Sequence, residues 1–179
     1  MKKILFILLI IIGVCLGTQT MSSPLKNGVH NHQRMDAKSN AHAGNDFEGL
    51  AQAYFSDKEN IELQKVLSLH LSANMKTYKA HNFDLGSKTH NILVECKSHR
   101  WTSSGKMPSA KITTWYQAMY YFYLAPKEYT KILFVLKDKR NKTGETLAEY
   151  FMRLHSHIIP QDVEIWEYDP QTHDVIKYK

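Results

Sequence analysis

From residue 44 onward, apolar side chains recur at spacings that change several times along the chain. Phe47, Leu50, Ala51, Tyr54 and Phe55 fall three and four apart, as on one helical face, and predict a helix over 46–56 capped by Asn45 or Asp46. Leu67, Leu69 and Leu71 then alternate with Ser68, His70 and Ser72, the period of a strand with one buried face, while residues 61–66 fit either element. Phe83–Leu85 and Ile92–Lys97 read as two strands joined through Gly86-Ser87-Lys88-Thr89, a hairpin. Past a loop rich in Thr, Ser, Gly and Pro, Ser109 can cap a second helix whose stripe is Ile112, Trp115, Met119 and Phe122 and whose end is marked by Pro126. The unbroken run Ile132–Leu136 fits a central strand buried on both faces. Leu147, Phe151 and Leu154 set a third helix over 146–157, for which Thr146 and Glu149 form a capping box. Val163, Ile165 and Trp166 begin a further strand, and Val175–Tyr178 can pair beside it. The order α-β-β-β-α-β-α-β predicts an α/β fold, a mixed central sheet flanked by helices.

Upstream the pattern is different. Residues 18–43 hold only Leu25, Val29 and Met35 as sizeable apolar side chains, too little surface to offset ordering, and are expected to form a flexible linker ahead of a domain over 44–179. Residues 1–17 place Lys2 and Lys3 before an apolar run from Ile4 that Gly17 closes, which is the pattern of a secretory signal. The run is about 14 residues, short of the roughly 20 that span a bilayer, so no stable membrane association is expected after cleavage. Cys15 follows Val14 rather than a small residue, against lipid attachment. Export is the expectation; a start at Met21 would make the protein cytoplasmic.

Composition narrows the class. Few Gly (8) and Pro (5) with 43% apolar residues exclude a collagen-like or wholly disordered chain. Two cysteines cannot build a disulfide scaffold or a four-cysteine zinc site, and without Cys15 only Cys96 remains. The formal charge of +6 falls to +4 once Lys2 and Lys3 are removed, which suits an anionic partner without requiring one.

The chemistry-bearing stretch is Phe83 to Lys97. On a strand Glu95 and Lys97 share one face while Val94 and Cys96 share the other, and Asp84 on the preceding strand can approach the first face. A carboxylate and an ammonium at the end of an apolar strand are costly without partners or work to do. Two carboxylates together favour a divalent cation, and hard oxygen donors suit magnesium, with manganese as the alternative. Such a metal polarises a phosphoryl oxygen and acidifies a water, and the lysine can orient that water or neutralise charge at phosphorus. The competing reading is a Glu95–Lys97 ion pair on an edge strand.

Asp84, a ten-residue gap and Glu95-x-Lys97 on an apolar strand resemble the PD-(D/E)xK nuclease superfamily, with Phe83 in place of the usual proline. Glu48 matches the acidic residue that members carry on the first helix, and Gln117 with Tyr121 matches their Gln and Tyr one helical turn apart on the helix after the Glu-x-Lys strand. The resemblance covers about residues 44–137 and implies a restriction-endonuclease-like core, α-β-β-β-α-β. It further implies a Mg-dependent endonuclease acting on DNA or other nucleic acid, with Asp84, Glu95 and Lys97 catalytic. Asp84 and Glu95 would bind metal, joined by the main-chain carbonyl of Cys96 and by Glu48; Gln117 and Tyr121 would lie by the substrate. The family also contains inactive relatives, so a non-catalytic nucleic-acid-binding protein is the alternative, and a secreted binding protein with a chance motif is a third reading.

Arg100, Lys106 and Lys111 follow the strand, with His99 and Trp101 among them. The cations can grip phosphates, and Trp101 either stacks a base or sits in the core. Lys137, Lys139, Arg140 and Lys142 read as solvated surface. The ten histidines show no zinc spacing; His81 and His90 flank the Asp84 strand, within reach of the site, and a structural or surface role is expected for both over a role in it. There is no Gly-rich phosphate loop and no Gly-x-Ser-x-Gly elbow.

Overall fold

A computed structural model describes residues 29–178, with side-chain surroundings from residue 42 onward. The signal segment and Cys15 lie outside these residues, and no helix among those described is long and apolar enough to cross a membrane. The elements are α1 (Val29–Glu59), β1 (Gln64–Leu71), β2 (Lys79–Ser87), β3 (Ile92–Lys97), α2 (Ser109–Leu124), β4 (Thr130–Leu136), α3 (Leu147–His155), a 3-10 turn (Ser156–Ile158), β5 (Val163–Tyr168) and β6 (Val175–Tyr178). The fold is mixed α/β, in the element order that the hydrophobic spacing predicts.

The six strands form one open sheet in sequence order. β1, β2 and β3 are antiparallel in turn, β3, β4 and β5 run parallel, and β6 is antiparallel to β5. Phe47, Ala51 and Phe55 of α1 pack on one face of the sheet with Val94, Ile132, Phe134 and Trp166. Ile112, Trp115, Met119 and Phe122 of α2, with Leu147 and Phe151 of α3, cover the other face over Leu93, Leu133 and Val135. Every residue of β4 from Lys131 to Leu136 is buried, as a strand covered on both faces should be.

Three local expectations need correction. The first helix begins at Val29 rather than near 46, so residues 29–43 are helical where a linker is expected. Once Phe47, Ala51 and Phe55 fix a helix against the sheet, extending it adds one hydrogen bond per residue and needs no apolar stripe of its own. Ser109 is the first helical residue of α2 rather than its cap; the carbonyl of Pro108 accepts from Lys111 and Ile112, with no side-chain cap. Gly86 lies in β2 rather than in the turn. A Cβ there would stand 2.5 Å from Leu67 Cδ2 and 2.8 Å from the Ile92 carbonyl oxygen, so glycine is required by close approach. The chain reverses just beyond, where Asn91 takes a φ of 52°. The capping box of α3 forms as expected, Thr146 Oγ1 accepting from Glu149 N and Glu149 Oε2 from Thr146 N.

One irregularity positions the site. Leu63, just ahead of β1, and Leu85 of β2 pack on the α1 face, yet Leu67 and Phe83, four and two residues away from them, pack on the α2 face. Side-chain alternation therefore inverts on both strands, between the register pairs Lys65–Leu85 and Leu67–Phe83. The residues in between are Val66 and Asp84. Val66 adopts a φ of 59°, a left-handed conformation that a β-branched residue seldom takes and that costs on the order of 1–3 kcal/mol.

Candidate active site

Asp84 stands where β2 and β3 part. Their ladder runs from Ser87–Ile92 to Leu85–Val94, and there the Asp84 carboxylate takes over: Oδ2 accepts the Cys96 N–H at 2.7 Å. β3 meanwhile stays paired to β4 as far as Lys97–Val135, so Glu95 and Lys97 are carried by the interior of the sheet. Both project to the α2 face, in line with Leu93, while Val94 and Cys96 turn to the α1 face.

The three side chains meet. Lys97 Nζ donates to Glu95 Oε2 at 2.6 Å and lies 3.4 Å from Asp84 Oδ2. Side-chain exposure is 8% for Glu95, 13% for Lys97 and 26% for Asp84, so the cluster is largely desolvated and opens on the Asp84 side. His81 of β2 holds the other oxygen of Glu95, Nε2 to Oε1 at 3.1 Å. The His81 ring is in turn stacked on Tyr121 of α2, centroids 3.6 Å apart. Tyr121 thus supports Glu95 from behind.

Charge follows from these partners. Burial by itself would push the Glu95 carboxyl upward, but the His81 hydrogen bond and the Lys97 ammonium hold it below the usual range. Burial opposes the Lys97 charge, yet Glu95 and Asp84 raise its pKa and keep it an ammonium. Asp84 is raised, first by burial and then by the Glu95 charge, against the pull of Lys97 and the Cys96 N–H. Glu48 on α1 is also raised, by burial and by Asp84.

A cleft of about 580 Å³ lies over the Asp84 side of this cluster, lined among others by Glu48, Asp84, Lys97, His99, Arg100 and Lys111. It sits beyond the carboxyl end of β3, next to the parallel β4, the place where open α/β sheets bind ligands. Of the residues expected at the substrate, Arg100 and Lys111 line it, although Arg100 Nη1 also donates to Asp138 Oδ1 at 3.2 Å. The structure does not bring in Lys106, which is exposed in a turn that Thr102 closes through Oγ1. Gln117 is exposed on the α2 stripe between Thr114, which lines the cleft, and Tyr121, which has turned to His81.

Trp101 is tucked in, the second of its two readings. Its Nε1 donates to the Asp138 carbonyl at 3.1 Å, and Arg140 covers its ring. Lys137 is paired with Asp169 and Arg140 Nε donates to the Gly105 carbonyl, so two members of the second basic cluster hold loops together. Cys96 is half-buried, packs against the α1-side core and lines the floor of the cleft; its thiol pKa is pushed well up, chiefly by burial, so it stays a neutral thiol. His90 bonds Ser87 within its turn, as a structural residue would. His81 is the residue that sequence reasoning undervalued. Regular strand alternation would set it on the face opposite Asp84, and only the inversion between Leu85 and Phe83 turns it to Glu95.

Comparison with known proteins adds no family to this geometry, since no family model, curated protein or solved structure matches the chain. Among the described residues no group of three or more His, Cys, Asp or Glu side chains forms a ready metal shell. The donor chemistry at Asp84 nevertheless fits a hard cation. Oδ2 is used twice within the protein while Oδ1 takes no hydrogen bond among the described residues, and Asp84 and Glu48, raised first by burial and then by the neighbouring carboxylates, are groups whose charged forms a cation would stabilise.

Proposed function

We propose that this chain is a metal-dependent nuclease that hydrolyses phosphodiester bonds, in DNA by preference, on the restriction-endonuclease-like core that its motif resembles. The observation that carries the reading is the meeting of Asp84, Glu95 and Lys97 within hydrogen-bonding distance beside a cleft. The element order α-β-β-β-α-β from α1 to β4 supports it, as does the placement of Glu48, from the opposite face of the sheet, in the same cleft.

Asp84 and Glu95 would hold magnesium or manganese, with the Cys96 carbonyl and Glu48 as further oxygen donors. A bound divalent cation supplies polarisation of a phosphoryl oxygen and a more acidic water. Lys97, kept charged and fixed by Glu95, is placed to offset negative charge growing on the phosphoryl oxygens. His81 and Tyr121 hold Glu95 in one orientation, so its carboxylate needs little rearrangement. Lys111 and Arg100 at the rim grip flanking phosphates. Export through residues 1–17 belongs to the same proposal, and mass spectrometry of the mature N-terminus tests it.

Plasmid and linear DNA incubated with Mg²⁺ should be cut, and cutting should cease with a chelator, with Glu95→Gln and with Lys97→Ala. Salt-sensitive DNA binding with no cutting in Mg²⁺ or Mn²⁺ would identify a non-catalytic nucleic-acid-binding relative instead. Neither binding nor cutting would overturn both readings.

A further inference from the structure

A buried tryptophan fixes the proton of a histidine in the cleft. Trp115 of α2 is fully buried, and its Nε1–H donates to His99 Nδ1 at 2.9 Å. An indole nitrogen can only donate, so Nδ1 must present its lone pair and the single proton of the neutral ring must sit on Nε2. His99 is half-buried and lines the cleft with Glu48, Asp84, Lys97, Arg100 and Lys111, and Nε2 has no hydrogen-bond partner among the described residues.

The ring is also held neutral. Burial, then the charges of Lys111 and Lys97, bring its pKa down to about 4. Protonation would moreover strip Trp115 of its acceptor and strand an indole N–H in the core, at a cost of roughly 1–3 kcal/mol. Nε2 therefore donates a hydrogen bond and does not accept a proton. Such a donor, with two lysines and an arginine around the same space, matches an anionic oxygen.

We propose that His99 is a catalytic residue of the cleft, a fixed Nε2–H donor to a phosphate oxygen of bound nucleic acid, with Trp115 as the positioning residue that sets its tautomer. This rests on the nuclease reading for its substrate. The sequence order helps, because the strand that ends at Lys97 delivers His99 two residues on, beside the lysine that faces the same phosphate.

The test is carried out on the full chain labelled with nitrogen-15. Long-range proton–nitrogen spectra should show His99 as the Nε2–H tautomer at neutral pH, and a short single-stranded deoxyoligonucleotide, added with a chelator so that it is not cut, should displace the Nε2 proton resonance. An Nδ1–H tautomer, a charged ring, or an Nε2 resonance that stays in place at saturation overturns the inference. In DNA cleavage with Mg²⁺, His99→Ala should lower kcat about 100-fold, the usual loss for one donor aimed at a reacting oxygen. His99→Gln should recover part of that rate, since its amide keeps a donor near the Nε2 position. If the wild type cuts and His99→Ala keeps kcat within about twofold, the inference fails and the nuclease reading stands. If the wild type does not cut, the nuclease reading fails, and the oligonucleotide titration alone decides whether His99 grips phosphate.

Discussion

Lys97→Met keeps the unbranched stem of the side chain and removes its charged end, and the consequences can be worked from the geometry. The ammonium lies 2.6 Å from Glu95 Oε2 and 3.4 Å from Asp84 Oδ2, with little solvent to screen either pair. At about 3 Å and an effective dielectric constant of about 20, one such pair is worth on the order of 5 kcal/mol, most of it offset by the cost of desolvating the ions. Removing one partner leaves the other charges buried and uncompensated, which typically costs 3–5 kcal/mol; with Asp84 partly open to water, about 3 kcal/mol is expected near pH 7. The pH dependence gives the sharper test. In the wild type Glu95 has a depressed pKa, so its contribution to stability is present above the unfolded carboxyl value and fades as pH falls through the folded one. Without Lys97 the His81 hydrogen bond still holds Glu95 down, but burial of both carboxyls and the Glu95 charge on Asp84 lose their counterweight, so the carboxyl pKa values rise relative to the wild type and the destabilisation is relieved as the groups take up a proton. Urea unfolding of both proteins near pH 7 and near pH 5 should therefore show a gap that narrows toward acid. A gap below about 0.5 kcal/mol at neutral pH, or one of equal size at both pH values, would refute the desolvated triad.

Three further substitutions probe the frame around the site. Gly86→Ala forces a Cβ against Leu67 and the Ile92 carbonyl and should cost about 1–3 kcal/mol by urea unfolding, a penalty that Leu67→Ala in the same chain should partly remove. Val66→Gly should leave stability unchanged or raise it by up to about 1 kcal/mol, because relief of the left-handed conformation outweighs the added freedom of the unfolded chain; a loss above about 1 kcal/mol would contradict this. Thr146→Ala removes the capping box of α3 and should lower stability by about 1 kcal/mol, with α2 and the cleft residues unaffected in their amide spectra.

Much of this arrangement was legible from spacing. The run Ile132–Leu136, the stripe of α2 and the box Thr146–Glu149 each carry a local signal strong enough to name the element, and Glu95 with Lys97 on one face follows from strand period alone. Local rules failed where tertiary contact decides. Gly86 reads as a turn residue because nothing in the sequence reveals Leu67 pressing on it across the sheet. The extension of α1 back to Val29 depends on a helix nucleated elsewhere rather than on residues 29–43 themselves. Lys106 and Gln117 have the right residue types near the motif, yet the first is carried off in a closed turn and the second stands where the helical stripe has left the cleft. His81 and Trp115 act through partners fourteen and sixteen residues away in sequence, His81 on Glu95 and Trp115 on His99, distances over which periodicity is silent.

The broken ladder between β2 and β3 explains why the cluster sits here and not elsewhere along the sheet. Had β2 kept its regular alternation past Leu85, its odd-numbered residues would have stayed on the α1 face, taking Phe83 out of the α2-side core and His81 away from Glu95. Inversion at Val66 and Asp84 lets both strands change faces together, so Phe83 and Leu67 still find a core while the ladder opens for a side chain to enter. Asp84 then fills the place of a main-chain acceptor, and the same carboxylate that completes the sheet becomes the one that faces the cleft. Glu95 and Lys97, by contrast, ride on a strand whose pairing to β4 is unbroken. One carboxylate is thus carried by an unbroken parallel ladder, and the other stands where two ladders part, anchored through Oδ2 to the Cys96 N–H and Lys97 at the edge of the cleft.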